Sequence, residues 1–195
     1  MTIAYELGSS LYLNITNKCP LHCSFCLRNS SDGMNYGESL WLPYEPSLEE
    51  IMEVLSNINY KLYREVVFCG YGEPTERFEI LLECASFLKS KNIPVRLNTN
   101  GLSDLINGKK TSNLLAGLVD SISISLNAPD ADTYNKLCDP TFGDGAYEAM
   151  LEFAKDCKDF IPEVVLSVVG HSLDNTAIEK CREICDLLDI PLRVR

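Results

Sequence analysis

VVFCGYGEP, residues 66–74, runs a short β-prone stretch directly into a turn built on Gly70, Gly72 and Pro74. The same pattern recurs on both sides of it. Residues 11–16 (LYLNIT), 95–98 (VRLN), 121–126 (SISISL), 164–169 (VVLSVV) and 192–194 (LRV) are also β-prone. Helical patterns separate them. Ser47 and Glu50 form a capping box ahead of Ile51, Val54, Leu55 and Ile58. Ile80, Cys84, Phe87 and Leu88 make a second stripe, and residues 147–157 and 178–188 give two more. Residues 105–118 form a weaker, glycine-interrupted candidate. Such alternation predicts parallel strands joined by right-handed helical crossovers. Six βα units fall short of the eight in a closed barrel of about 250 residues. The expected fold is therefore α/β: a partial (βα)6 TIM-like open barrel of parallel strands. Function in such folds gathers at the C-terminal strand ends, and NKCPLHCSFC, GYGEP, TNG, NAPD and GHSLD all fall there.

The bulk properties fit one globular domain over residues 1–195, with 46% hydrophobic and 23% charged residues. No apolar run approaches the roughly 20 residues that span a bilayer, so no membrane association is expected. The first residues lack the basic start and apolar stretch of a signal peptide, which predicts a cytoplasmic protein. A net charge of −11 repels phosphate backbones and speaks against nucleic acid as a partner. Nine cysteines is an odd count; in a reducing compartment thiols are metal ligands or small apolar residues before they are cystines.

Three of them, Cys19, Cys23 and Cys26, crowd one loop at C-x3-C-x2-C spacing. Structural zinc takes four protein ligands. His22 is poorly placed as a fourth, and there is no second C-x2-C pair. An iron–sulfur cube takes one thiolate per iron, so three thiols leave one iron open to a small molecule. The 27–46 segment carries no helical or strand period and exceeds ordinary loop length. Its aromatic residues Tyr36, Trp41 and Tyr44, with Met34, predict a flap packed beside the cysteine loop. Cys181 and Cys185, four apart beside Ile178, Ile184 and Leu188, suit helix packing. Cys69 reads as a small buried residue. An auxiliary cluster would have to draw on Cys138 or Cys157, far apart in sequence.

C-x3-C-x2-C with Phe25 before the last cysteine resembles the cluster loop of the radical S-adenosylmethionine (SAM) superfamily. GYGEP stands where that family has a G-G-E-P turn, departing only in Tyr71. NTNG at 98–101 and SLNAPD at 125–130 resemble its next two strand ends. The compact size and the CGYGEPT and SLNAPDADTY stretches are most similar to the small TatD-linked radical SAM proteins, a label that names no reaction.

The resemblance implies two cofactors, a 4Fe-4S cluster on Cys19, Cys23 and Cys26, and SAM chelated by the open iron. Reductive cleavage of SAM then yields a 5′-deoxyadenosyl radical that abstracts hydrogen from a substrate, either a small metabolite or a partner polypeptide as in activases. A flavodoxin- or ferredoxin-like donor supplies the electron. In the same reading, Gly72, Glu73 and Pro74 shape the turn that meets the methionine ammonium. Thr99, Asn100, Ser125 and Asn127 offer hydrogen bonds to ribose and carboxylate, with Ser125 and Asn127 the preferred pair. Phe25 and Val168 pack by the adenine. His171 faces ribose or substrate, or is a solvated loop residue. The competing reading is a non-catalytic module that holds iron–sulfur or zinc for structure or electron transfer; GYGEP argues against it, because an electron carrier needs no amino-acid-binding turn.

Overall fold

The computed structural model describes residues 1–29 and 39–195. One seven-stranded sheet organises them: β1 (Ala4–Leu7), β2 (Ser10–Leu13), β3 (Glu65–Phe68), β4 (Val95–Thr99), β5 (Ser121–Ser125), β6 (Glu163–Val168) and β7 (Leu192–Val194). Spatial order follows chain order. β1 and β2 form an antiparallel hairpin, and each later strand pairs parallel to the one before it. The crossovers are α1 (Leu48–Ser56), α2 (Phe78–Ser90), α3 (Ser103–Asn107), the pair α4 (Ala131–Cys138) and α5 (Ala146–Cys157), and α6 (Asn175–Leu188). The sheet does not close: among the described residues β1 and β7 are its two edges and do not pair with each other. Its six parallel strands make the partial, open TIM-type barrel that the alternation predicts.

Strand alternation sorts the side chains onto two faces. Leu97, Ile122, Ile124, Leu166 and Val168 are buried toward the helices, with Leu81, Leu88, Met150, Phe153, Cys181 and Cys185 packed over them. Each such burial removes a full side chain from water, worth about 1.5–3 kcal/mol. The opposite, lumen-side register carries Arg96, Asn98, Ser121, Ser123 and Ser125. Cys181 and Cys185 are packing residues as their spacing predicts.

Local chemistry sets the element boundaries. The capping box holds: Glu50 N–H donates to Ser47 Oγ at 3.2 Å and Ser47 N–H to Glu50 Oε2 at 2.8 Å. Residues 105–118 do not form one helix. Gly108 turns left-handed at φ 63° and ends α3, and Ser112–Leu115 follows as a single tight turn. β1 and α4 are additions to the sequence reading. Among the described residues no helix is long and apolar enough to cross a membrane.

Candidate active site

The cysteine loop leaves the C-terminal end of β2 and is held from three sides. Beneath it, Gly72 touches its backbone so closely that a Cβ there would lie 2.3 Å from Thr16 O and 2.7 Å from Lys18 O. Glu73 N–H donates to Lys18 O at 2.7 Å. On the outer side, Asn17 Nδ2 donates to Leu42 O at 2.7 Å, and Glu45 Oε1 accepts from Thr16 Oγ1 at 3.1 Å. The described part of the 27–46 segment thus packs beside the loop, with Leu40 and Leu42 buried and Trp41 set edge-on to Tyr71 at 5.2 Å. Met34 and Tyr36 lie outside the described residues.

The third support is the end of α4. His22 N–H donates to Cys138 O and Ser24 N–H to Leu137 O, both at 2.9 Å, and Leu21 bridges Pro140. This zip brings a fourth thiol to the site. Cys23 and Cys138 share a hydrogen bond that favours the thiol at Cys23 and lowers Cys138. Asn127 Nδ2 lies 3.8 Å from Cys138 Sγ. The Tyr134 hydroxyl, one turn earlier, is buried without a partner among the described residues; burial raises it first, then the charges of Cys138, Cys23, Cys19 and Glu73. Neither Cys138 nor Tyr134 was singled out for the site from the sequence. The signal was present: Tyr134, Leu137 and Cys138 are spaced i, i+3, i+4 behind the helix-capping Asp130.

Cys19, Cys23 and Cys26 are half-buried free thiols on the loop. Burial, then Glu73, pushes the Cys19 thiol up to about 12. His22 turns away, with Nδ1 3.3 Å from the Asp139 carbonyl oxygen. Among the described residues no three or more Cys, His, Asp or Glu side chains converge to hold a single metal ion. Three separated thiolates instead suit a cluster that takes one per iron.

Glu73 shapes the turn from within the chain. Its side chain is 4% exposed. Oε1 accepts from Thr75 N, Thr75 Oγ1 and Thr99 Oγ1 at 3.1, 2.8 and 2.7 Å, and Oε2 accepts from Asn100 N at 2.7 Å. Burial raises its carboxyl while these donors oppose the shift. Both oxygens are committed to the chain, so Glu73 ties the end of β3 to the end of β4 and leaves ligand contact to the backbone around it. Gly72 likewise serves the chain's own loop. Pro74 is buried at the start of the short turn after Glu73.

The strand ends supply what the turn does not. Asn100 is 6% exposed and Asn127 3% exposed. Asn100 Oδ1 caps Leu102 N at 2.8 Å, but among the described residues its Nδ2 has no partner; Asn127 Nδ2 reaches Cys138, but its Oδ1 likewise has none there. Buried amides without partners are rare in isolation and suit a site that takes a polar ligand. Ser125 lies at the end of β5, 3.4 Å from Arg195 Nη2. Phe25, like Cys19 and Cys23, is partly buried against the core. Val168 is not brought to this group: it is fully buried in the core, in register phase with Val164 and Leu166. His171 is exposed. Cys69 is the exception to its bland reading, because its thiol, raised by burial, hydrogen-bonds Asn98 within reach of Arg195 and Arg96.

The radical SAM superfamily profile matches residues 13–185. A probable GTP 3′,8-cyclase of Methanosarcina acetivorans is 30% identical over 131 residues, 66% of this chain and 36% of that protein. The chain thus spans about a third of the length of this curated relative. Among solved structures, Streptococcus suis SuiB bound to precursor peptide SuiA superposes with a TM-score of 0.72 at 19% identity, covering 98% of this chain and 40% of that one. SuiB bound to S-adenosylmethionine gives 0.69 at 16% identity, covering 96% and 40%. Profile, motif order and fold agree, and the chain belongs to the radical SAM superfamily.

Proposed function

We propose that this chain is the catalytic core of an enzyme that cleaves SAM reductively and abstracts hydrogen from a substrate held in the barrel. Its cofactors are those of the superfamily, a 4Fe-4S cluster and SAM. When bound, they supply a 5′-deoxyadenosyl radical, the part of the chemistry that no side chain provides. The protein supplies the rest. Cys19, Cys23 and Cys26 would hold the cluster and leave one iron without a protein thiolate. The backbone of residues 70–74, with Asn100, Ser125 and Asn127, would hold the polar parts of SAM, and Phe25 its base.

One observation carries this reading: Asn100 Nδ2 and Asn127 Oδ1, buried at adjacent strand ends beside a three-thiol loop, have no partner among the described residues. The packed 39–46 segment and α4 brace the loop and limit water at its sides, as radical chemistry requires. An external flavodoxin- or ferredoxin-like protein delivers the electron. The substrate is a small molecule or a polypeptide, of the kind SuiB is bound to.

Anaerobic reconstitution tests the proposal. The expected product is a brown protein with about four irons per chain, whose spectrum changes with SAM and which releases 5′-deoxyadenosine after reduction. A colourless zinc protein indifferent to SAM would establish the non-catalytic module instead.

A further inference from the structure

Tyr134 lies on α4 one turn before Cys138, so the two side chains share a face of the helix. The backbone zip from His22 and Ser24 to residues 137 and 138 seats the end of this helix on the cysteine loop. The Tyr134 ring is fully buried and packs on Tyr147, with ring centres 5.5 Å apart.

The two tyrosines end differently. Tyr147 donates its hydroxyl to Ala128 O at 3.2 Å, and the buried Tyr5 donates to Cys69 O at 3.2 Å. The Tyr134 hydroxyl, more deeply buried than either, has no partner among the described residues. A buried hydroxyl that gives up water and gains no acceptor destabilises the fold, and phenylalanine would fill the same space without that cost. Buried tyrosine hydroxyls ordinarily find a partner. One that finds none inside the chain calls for an acceptor brought from outside it.

The surroundings narrow the choice. After burial, the charges that act on the hydroxyl are those of Cys138, Cys23, Cys19 and Glu73, in that order, and all of them keep the phenol protonated and able to donate. Glu73 already commits both carboxylate oxygens to Thr75, Thr99 and Asn100. Cys138 is engaged by Cys23 and by Asn127 Nδ2, the latter at 3.8 Å. Cys19 and Cys23 remain, and both belong to the three-thiol loop.

We propose that Tyr134 Oη–H donates to a sulfur of the 4Fe-4S cluster, a loop thiolate or an adjacent sulfide, and so sets how readily the cluster accepts its electron. The assignment deepens the function proposed above and rests on the cluster held by Cys19, Cys23 and Cys26. One electron from the external donor adds one negative charge to the cluster. A buried neutral donor stabilises that reduced form more than the oxidised one. Tyr134 ligates no iron and meets no substrate; it is a positioning residue that acts through the cluster.

The test is Tyr134→Phe in the full chain, read with and without the cluster. In cluster-free protein the midpoint of a denaturant melt should be no lower than the parent's, since the hydroxyl has no internal partner to lose. After anaerobic reconstitution without SAM, a redox titration followed by electron paramagnetic resonance should show the variant about tenfold harder to reduce, a midpoint about 59 mV lower for one electron. Pulsed electron–nuclear double resonance of the reduced parent, in ordinary and heavy water, should show an exchangeable proton that the variant lacks. The shift should persist in a Cys138→Ala background. A lower melt midpoint in the cluster-free variant, an unchanged potential, or the same exchangeable protons in both proteins overturns the proposal. So does a shift that vanishes with Cys138, which would make that thiol the acceptor, or a folded variant that takes up no cluster, which would make the hydroxyl part of the loop's scaffold. A parent that takes up no cluster sinks the enzymatic reading as well. A loaded parent that cleaves SAM, with a potential indifferent to Tyr134→Phe, leaves that reading standing and removes only the role of Tyr134.

Discussion

Glu73 Oε2 accepts the backbone N–H of Asn100 at 2.7 Å, joining a buried carboxylate to a strand end 27 residues further along the chain. With the two threonines on Oε1, it makes the Glu of the turn a clamp between β3 and β4. Glu73→Gln keeps the shape but sets an NH2 against one group of donors. At a fully enclosed site that costs about 1–3 kcal/mol. Denaturant melts of the cluster-free protein should show that loss; a change under about 0.5 kcal/mol, the scale of an ordinary surface substitution, would show that the clamp carries no load.

Gly72 is required by contact rather than by its dihedral. The two atoms its Cβ would strike, Thr16 O and Lys18 O, are backbone and cannot swing aside. Gly72→Ala should therefore displace the start of the cysteine loop at an overpacking cost of about 1–3 kcal/mol. Iron per chain after reconstitution should drop while the far-ultraviolet dichroism stays close to wild type. Full iron loading would mean that the loop has slack which this contact does not reveal.

Cys138 divides two roles that its position beside Cys23 leaves adjacent. If the three loop cysteines are the ligands, Cys138→Ala retains iron and the spectral response to SAM, whereas Cys19→Ala, Cys23→Ala and Cys26→Ala each lose most of the cluster. Metal analysis and absorbance read both. Loss of iron in Cys138→Ala equal to that in Cys23→Ala would make it a fourth ligand and close the iron that SAM needs.

The fold was legible because its signals are local and repeated: alternation gives the six parallel strands, and the Ser47–Glu50 box places the start of α1. The residues gathered at strand ends were legible for the same reason. What escaped depends on contacts between distant segments. Glu73 looks like a ligand in the linear motif, and only Thr99 and Asn100 arriving from β4 show it to be internal. Val168 sits in VVLSVV (164–169), a run apolar at every position but Ser167, so the apolar pattern alone does not fix which face it takes; the register with β5 and β7 does. Cys138 is an ordinary helical cysteine until the backbone zip between residues 20–24 and 137–141 sets it beside Cys23.

Asn127 combines a backbone demand with a side-chain one, and two substitutions separate them. Its φ of 58° is left-handed, which Asn tolerates and alanine does not. Its Oδ1 is buried without an internal partner. Asn127→Gly preserves the backbone and removes only the amide, so stability should change by less than about 1 kcal/mol while SAM binding weakens about tenfold, the worth of one hydrogen bond to a polar ligand. Asn127→Ala removes the same amide and adds strain of about 1–3 kcal/mol. Parallel denaturant melts and SAM titrations of the two reconstituted variants should give matching losses of affinity and unequal losses of stability. If the glycine variant binds SAM as tightly as the parent, the Asn127 amide serves Cys138 through Nδ2 rather than the nucleotide through Oδ1, and the ligand platform reduces to Asn100 and Ser125.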